Sequence, residues 1–394
     1  MWTGVIISST EKQLPLISSL ESVESFFDLI IDLKCTSSHL HGTNTFLSMV
    51  YFLIFFTGFL GNLFVISVLG SKDRRGGRLV DTFIINLAVA DLIFVITLPL
   101  WAISVSQSNN WNFGSAGNLL CKLSSYIIAV NRFSTIFFLT CMSVDRYLAV
   151  VKLMDSRYLR RSWYTRVTCA AVWLSSLLLG IPSLVYRSVE QFGEKLHCVE
   201  DSSSLLFLGL SLTIALLTFV MPVLIIVLCY GTIIMHLNKH RVAAANPRTE
   251  ARHKHSVKMV LSIIVAFVVS WLPFNIFKAI IAMSYILNID ASCETQSWQK
   301  NGLTISCCLA FLNSCVNPVI YVFLDNHFRR RAVMLYKTCV RRSKVLQSYN
   351  SSASFTTGSS ESSTRGRTQL QMLRMHTYEQ LQSLLSSNVD NIFS

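Results

Sequence analysis

The chain has 394 residues, of which 52% are hydrophobic and only 14% charged, and its formal net charge is +13. A soluble domain carries about a quarter charged residues, so this composition, with a mean hydropathy of +0.49, excludes an ordinary soluble globular protein and points into a membrane. The basic excess does not imply nucleic acid, because its Lys and Arg cluster in the short segments between apolar runs, where the positive-inside rule puts them.

In chain order, residues 1–40 lack a basic start followed by a long apolar run, and Phe26–Asp32 is interrupted by acids. No cleavable signal peptide is therefore expected, and the first span would act as the signal anchor. Seven apolar segments follow, at about 44–70, 79–106, 117–151, 163–186, 205–236, 254–287 and 301–325. Each is long enough to cross the hydrocarbon core as a helix. Segments 70–78, 152–166, 236–258 and 326–345 hold most of the Lys and Arg, among them Arg74, Arg160, Arg241, Arg252 and Arg329, so they face the cytoplasm. The amino terminus and segments 107–117, 187–204 and 288–300 face outside, and there acids such as Glu190, Glu194, Glu200 and Asp290 outnumber the cations. The expected fold is an all-α membrane protein, a seven-transmembrane helix bundle with a short C-terminal amphipathic helix. Its parts are an extracellular amino terminus (1–43), the bundle (44–325), an interfacial helix (326–341) and a disordered cytoplasmic Ser/Thr-rich tail (342–394).

Eleven cysteines divide by place. Six lie in apolar segments and read as small buried hydrophobes. Cys35, Cys121, Cys198 and Cys293 lie outside or at the outer edge, where an even set reads as disulfides; four cysteines allow three pairings. Cys339 is alone inside, after a basic amphipathic stretch, and reads as a palmitoylation site or a plain free thiol. Phe328, Ala332, Leu335 and Cys339 recur at helical spacing with basic residues between them, which suits an anionic leaflet. The serines and threonines after 345 can be phosphorylated and then read by a basic partner.

Four features carry chemistry. Asp91 is an acid inside an apolar span and is functional by default. Asp145-Arg146-Tyr147 closes the third span; an acid beside an Arg holds it until something else claims it, which makes a latch. Arg132 lies about three turns after Cys121 on the same helix face, roughly 16 Å deeper. That face looks toward the outer cavity, and an Arg there can take a ligand carboxylate in a bidentate fork; the competing reading pairs it internally with Asp91 or an Asn. Lys278, about two turns above Trp271, could supply a second cation. Pro99, Pro182, Pro222, Pro273 and Pro318 each remove a backbone donor and permit a kink.

These motifs resemble those of rhodopsin-like, class A G-protein-coupled receptors over about 44–340. The resemblance rests on Gly61-Asn62, Asn86 to Asp91, Asp145-Arg146-Tyr147, Trp173, Pro222 with Tyr230, Phe267 with Trp271-Leu-Pro273, and Asn313 to Asn317-Pro318-Val-Ile-Tyr321, one set per span. Within that family the chain is similar to the chemokine, angiotensin and apelin receptor branch, through Thr97-Leu-Pro99-Leu-Trp101, Trp111-Asn-Phe113-Gly114, and Cys35 with Cys293. Arg78–Phe83, Cys121–Ser125, Met142–Lys152 and Gly180–Arg187 resemble an orphan receptor of that branch more closely still.

The resemblance implies disulfides Cys121–Cys198 and Cys35–Cys293. It makes Trp101, Ile128, Arg132, Trp271 and Lys278 the ligand-binding set; Ile128 stands where amine receptors carry an acid. Phe267, Trp271 and Pro273 become the hinge, and Tyr230 and Tyr321 the hydroxyls that stabilise the outward position. Asp91, Asn131, Thr135, Asn313 and Asn317 become a sodium pocket, or a polar network without an ion. No cofactor is required, and sodium would be allosteric. Many relatives add an acid at the base of the sixth span; here His253 is at that place and only Glu250 is near, which favours basal activity. Two departures qualify the chemokine-type reading, since no Tyr precedes Tyr51 and no outer glycosylation sequon occurs.

The expected function is a plasma-membrane receptor, not an enzyme, with its amino terminus outside. It would bind an extracellular peptide or chemokine-like protein and signal through heterotrimeric G proteins of the inhibitory class, with arrestin and receptor kinases acting on the tail. One alternative is a decoy or scavenging receptor that internalises ligand without coupling, against which the intact Asp145-Arg146-Tyr147 argues. Another is a transporter, for which no broken-helix repeat is present.

Overall fold

The computed structural model describes residues 43–70, 79–151, 162–200, 205–240, 247–289 and 292–355, with only the backbone described at 43, 162, 205, 238–240, 247–256, 342 and 344–355. Cys35 with the rest of the amino terminus, the basic segments 71–78, 152–161 and 241–246, and the tail from 356 lie outside the described residues, as do the side chains of Glu250, Arg252 and His253. Seven helices among the described residues are long and apolar enough to cross a membrane.

The first span is Thr43–Gly70. The second is two helices, Leu79–Val95 and Leu98–Ser106, joined by a two-residue turn before Pro99. Pro99 cannot donate to Val95 O four residues back, and at the break Thr97 bonds Phe94 O through both its backbone N at 2.9 Å and its hydroxyl at 2.7 Å. The third span, Gly117–Val150, is the bundle's central rod, and the fourth is Ser162–Val185. The fifth runs from Leu205–Ala215 through a π-helical turn, Leu216–Val220, into Met221–His240. That wide turn sits just before Pro222, whose missing N–H loosens the ladder there.

The sixth span, Pro247–Ile286, carries Pro273 within it. The seventh is Cys293–Leu324. It begins well before the expected 301, because hydropathy registers only the apolar part of a helix. Ser292 accepts from Thr295 N at 3.3 Å and Glu294 lies in the first turn, so the polar residues 293–300 are helical too.

The last helix, Asn326–Phe355, also outruns its expected end at 341; no Gly or Pro interrupts the sequence before Gly358. The tail expected to be disordered from 342 is thus helical to Phe355. Phe328 anchors this helix, buried against Phe64 and Tyr321 with centroids 5.7 and 6.1 Å away. Arg331 reaches Asp81 at the foot of the second span at 3.4 Å, while Cys339 is exposed.

The connection between the fourth and fifth spans is an antiparallel hairpin, β1 (Arg187–Phe192) and β2 (Lys195–Glu200), which the all-helical expectation did not include. Its two-residue turn opens on Gly193 at φ +62°, a backbone that Gly adopts without strain. The Cys121–Cys198 disulfide ties β2 to the top of the third span. Trp111 N donates to Leu196 O at 2.6 Å and Leu196 N donates to Asn110 Oδ1 at 3.1 Å, so the connection between the second and third spans is pinned to the same hairpin. Trp111 itself is buried between Trp101 and Phe113, with centroids 4.8 and 5.0 Å away.

Candidate functional site

The hairpin roofs one end of the bundle, and the side chains beneath it form two tiers. In the upper tier Glu200 ends β2 directly across from Arg187, which begins β1. Arg187 Nη2 donates to Glu200 Oε2 at 3.2 Å, and Lys278 Nζ of the sixth span donates to the same oxygen at 2.6 Å. Burial alone would push the Glu200 carboxyl up, but Lys278, Arg187 and the more distant Arg132 hold it down to about 2. Glu200 is therefore an anion throughout the physiological range.

Arg132 occupies the lower tier. Its guanidinium lies over aromatic rings, 4.7 Å from the Phe133 centroid, 5.8 Å from Phe274 and 5.9 Å from Trp271, distances at which a cation meets the negative face of a ring. Among the described residues it forms no ion pair. Its neighbour Asn131 takes the internal partner instead. Trp271 links this tier to the sixth span's interior, standing 5.6 Å from Phe274 and 6.1 Å from Phe267. Ile128, one turn above Arg132, is half-buried. Trp101 sits to one side, lining with Trp111, Phe192, His197 and Lys300 a cavity of about 370 Å³. Its Nε1 is buried without a hydrogen-bond partner.

Below lies the polar heart of the bundle. Asp91 is fully buried and accepts from Asn131 Nδ2 at 3.0 Å, Ser314 Oγ at 2.7 Å and Asn317 Nδ2 at 3.0 Å. Thr135 Oγ1, Asn313 Oδ1 and Asn317 Oδ1 are buried oxygens without partners. Pro318 cannot donate to Ser314 O; Asn62 Nδ2 does so instead at 2.8 Å. Gly61 makes room for this, since an added Cβ there would meet the Pro318 ring at 3.0 Å. Trp173 Nε1 donates to Asn86 Oδ1 at 2.9 Å, fastening the fourth span to the second.

At the end of the bundle away from the hairpin, Asp145 and Arg146 form an ion pair. Arg146 Nε donates to Asp145 Oδ2 at 2.9 Å, and Nη2 bonds the same oxygen. Tyr230 and Tyr321 are buried with their hydroxyls unpartnered, so the outward network expected of them is not formed in this arrangement.

The structure thus brings Arg132 and Trp271 together, gathers Asp91 with Asn131 and Asn317, and pairs Asp145 with Arg146. It sets Trp101 apart in a side cavity, and it finds Lys278 already paired. Cys293 is disulfide-bonded, while Cys35 lies outside the described residues. Sequence reasoning missed Ser314 and Glu200. Ser314 adjoins Asn313, and Glu200 stands two residues after Cys198, so each had a neighbour that could have pointed to it.

The 7 transmembrane receptor (rhodopsin family) matches residues 61–321 of the chain. The chain is 38% identical over 306 residues to mouse (Mus musculus) G-protein coupled receptor 15, covering 78% of this chain and 83% of that one. It is 35% identical over 322 residues to mouse Probable G-protein coupled receptor 25, with 81% and 86% covered. To zebrafish (Danio rerio) Apelin receptor B it is 33% identical over 330 residues, with 80% and 89% covered. These relatives are receptors, not enzymes.

Proposed function

The chain belongs to the rhodopsin family of seven-transmembrane receptors, and from that premise we propose that it answers an extracellular peptide or chemokine-like protein at the plasma membrane, with its amino terminus outside. It signals through heterotrimeric G proteins of the inhibitory class, and arrestin and receptor kinases act on its tail. The observation that carries this reading is Arg132. It is a permanent cation without an ion pair among the described residues, within cation–π range of Trp271 on the helix that Pro273 lets bend. A ligand carboxylate on Arg132 therefore touches the switch itself.

The mechanism is a population shift. A ligand acts only through its difference in affinity for two bundle arrangements. In the resting arrangement Asp145 holds Arg146, and Tyr230 and Tyr321 have idle hydroxyls. An arrangement that gives those hydroxyls partners and releases Arg146 to a G protein is the one an agonist favours. We extend the proposal to sodium at Asp91. The carboxylate and the orphaned oxygens of Thr135, Asn313 and Asn317 suit a hard cation, whose charge would favour the resting arrangement. The test is G-protein activation on membranes expressing the wild type and Arg146→Ala, against a panel of secreted peptides. Activation by wild type alone is expected. Ligand uptake without activation by either would support a scavenging receptor instead.

A further inference from the structure

Lys278 and Arg187 are the kind of residues a ligand carboxylate should meet on entering, yet both point at one oxygen of the protein's own Glu200. Glu200 is held in place from two directions. It is two residues from Cys198, which is bonded to the third span, and it is in register with Arg187 across the hairpin. The group is only partly exposed, as are its two partners. A tethered group at a fixed site competes at a high effective concentration. Arg132 lies deeper, feels Glu200 only at a distance, and forms no ion pair among the described residues.

We infer that Glu200 is a built-in occupant of the upper anion subsite, a carboxylate on the second outer loop that silences Lys278 and Arg187 toward incoming ligands. Arg132 is left as the open cation of the cluster. The ligand class this selects is a peptide whose free carboxylate reaches past the hairpin. A ligand that stops at the rim must displace Glu200 to gain a charge contact. This rests on the proposed carboxylate recognition by Arg132 and goes beyond it, because it assigns selectivity to a residue that does not bind the ligand.

The test uses full-length receptor in nanodiscs and two pools of random hexapeptides, one with free carboxyl termini and one amidated. The readout is the ratio of acid to amide captured, measured by mass spectrometry. Wild type should favour acids, and Arg132→Gln should remove the preference. Glu200→Gln should raise the ratio a further tenfold or so, the effect of one or two freed charge-assisted bonds. Adding Lys278→Gln and Arg187→Gln should erase that gain. If Glu200→Gln leaves the ratio at the wild-type value, Glu200 is a structural strut and the inference fails. If wild type shows no preference and Arg132→Gln changes nothing, the Arg132 reading fails on its own. Lys278→Gln alone gives an independent check should Glu200→Gln not reach the surface. The ratio should not move if Lys278 is silenced, and a tenfold fall would overturn the inference.

Discussion

Gly302 of the seventh span faces Phe277 of the sixth at the bundle's outer end. A Cβ added there would lie 2.2 Å from Phe277 Cε1 and Cζ, where carbons rest at about 3.5–4.0 Å. Either the two helices part by more than about an ångström or the ring leaves its place beside Trp298, with which it packs at 5.0 Å. Overpacking of this kind costs about 1–3 kcal/mol. Gly231 of the fifth span is the internal control, since nothing lies within 4 Å of its added Cβ. There, replacing Gly by Ala in a helix should stabilise by roughly 0.5–1 kcal/mol. Gly302→Ala sits in a helix too and shares that gain, so the two variants should differ by the overpacking cost alone, about 1–3 kcal/mol, a few degrees or more in midpoint at roughly 2–4 °C per kcal/mol. Thermal unfolding of the detergent-solubilised receptor, followed by a thiol-reactive dye, reads the difference. Equal midpoints for the two variants would refute the packing argument.

Three further outcomes are expected. Because the folded Glu200 carboxyl sits near 2, below its usual value, its stabilisation is present above about pH 4.3 and lost as pH falls toward 2. The midpoint gap between wild type and Glu200→Gln should thus be flat from pH 8 to 5 and shrink below 4, and a gap that closes between pH 6 and 5 would contradict the clamp. Asp145→Asn should raise basal nucleotide exchange, since it removes the carboxylate that Arg146 pairs with; exchange at the wild-type rate would mean the pair is no latch. Asp91→Asn should abolish any sodium dependence of agonist affinity, and a wild type whose affinity ignores sodium would leave Asp91 as the centre of a polar network alone.

The sequence makes the seven spans legible because twenty or so apolar residues have few other uses. It is a poorer guide to where helices end, since caps such as Ser292 act without regard to hydropathy. The hairpin escaped notice because Arg187–Phe192 and Lys195–Glu200 are short and polar, and only Gly193 marks their turn. The inner motifs were readable as types, with Asp91 standing out as a lone acid in an apolar run. Their geometry was not: nothing in the chain announces that Asn62 satisfies the carbonyl that Pro318 abandons. Least legible was Glu200, whose pairing with Lys278 joins residues 78 positions apart and emerges only when hairpin and sixth span meet.

The central claim is that Arg132 takes a ligand carboxylate and passes its presence to Trp271. The direct measurement is a double-perturbation cycle on a peptide agonist from the secreted panel, assayed in its free-acid and amidated forms on wild type and Arg132→Gln. A bond to a charged group contributes about 1.5–3 kcal/mol, so either change alone should weaken activation by roughly ten- to a hundredfold. Together they should cost little more than one, because both remove the same contact. Losses that add in full, or amidation that costs wild type nothing, would contradict the account.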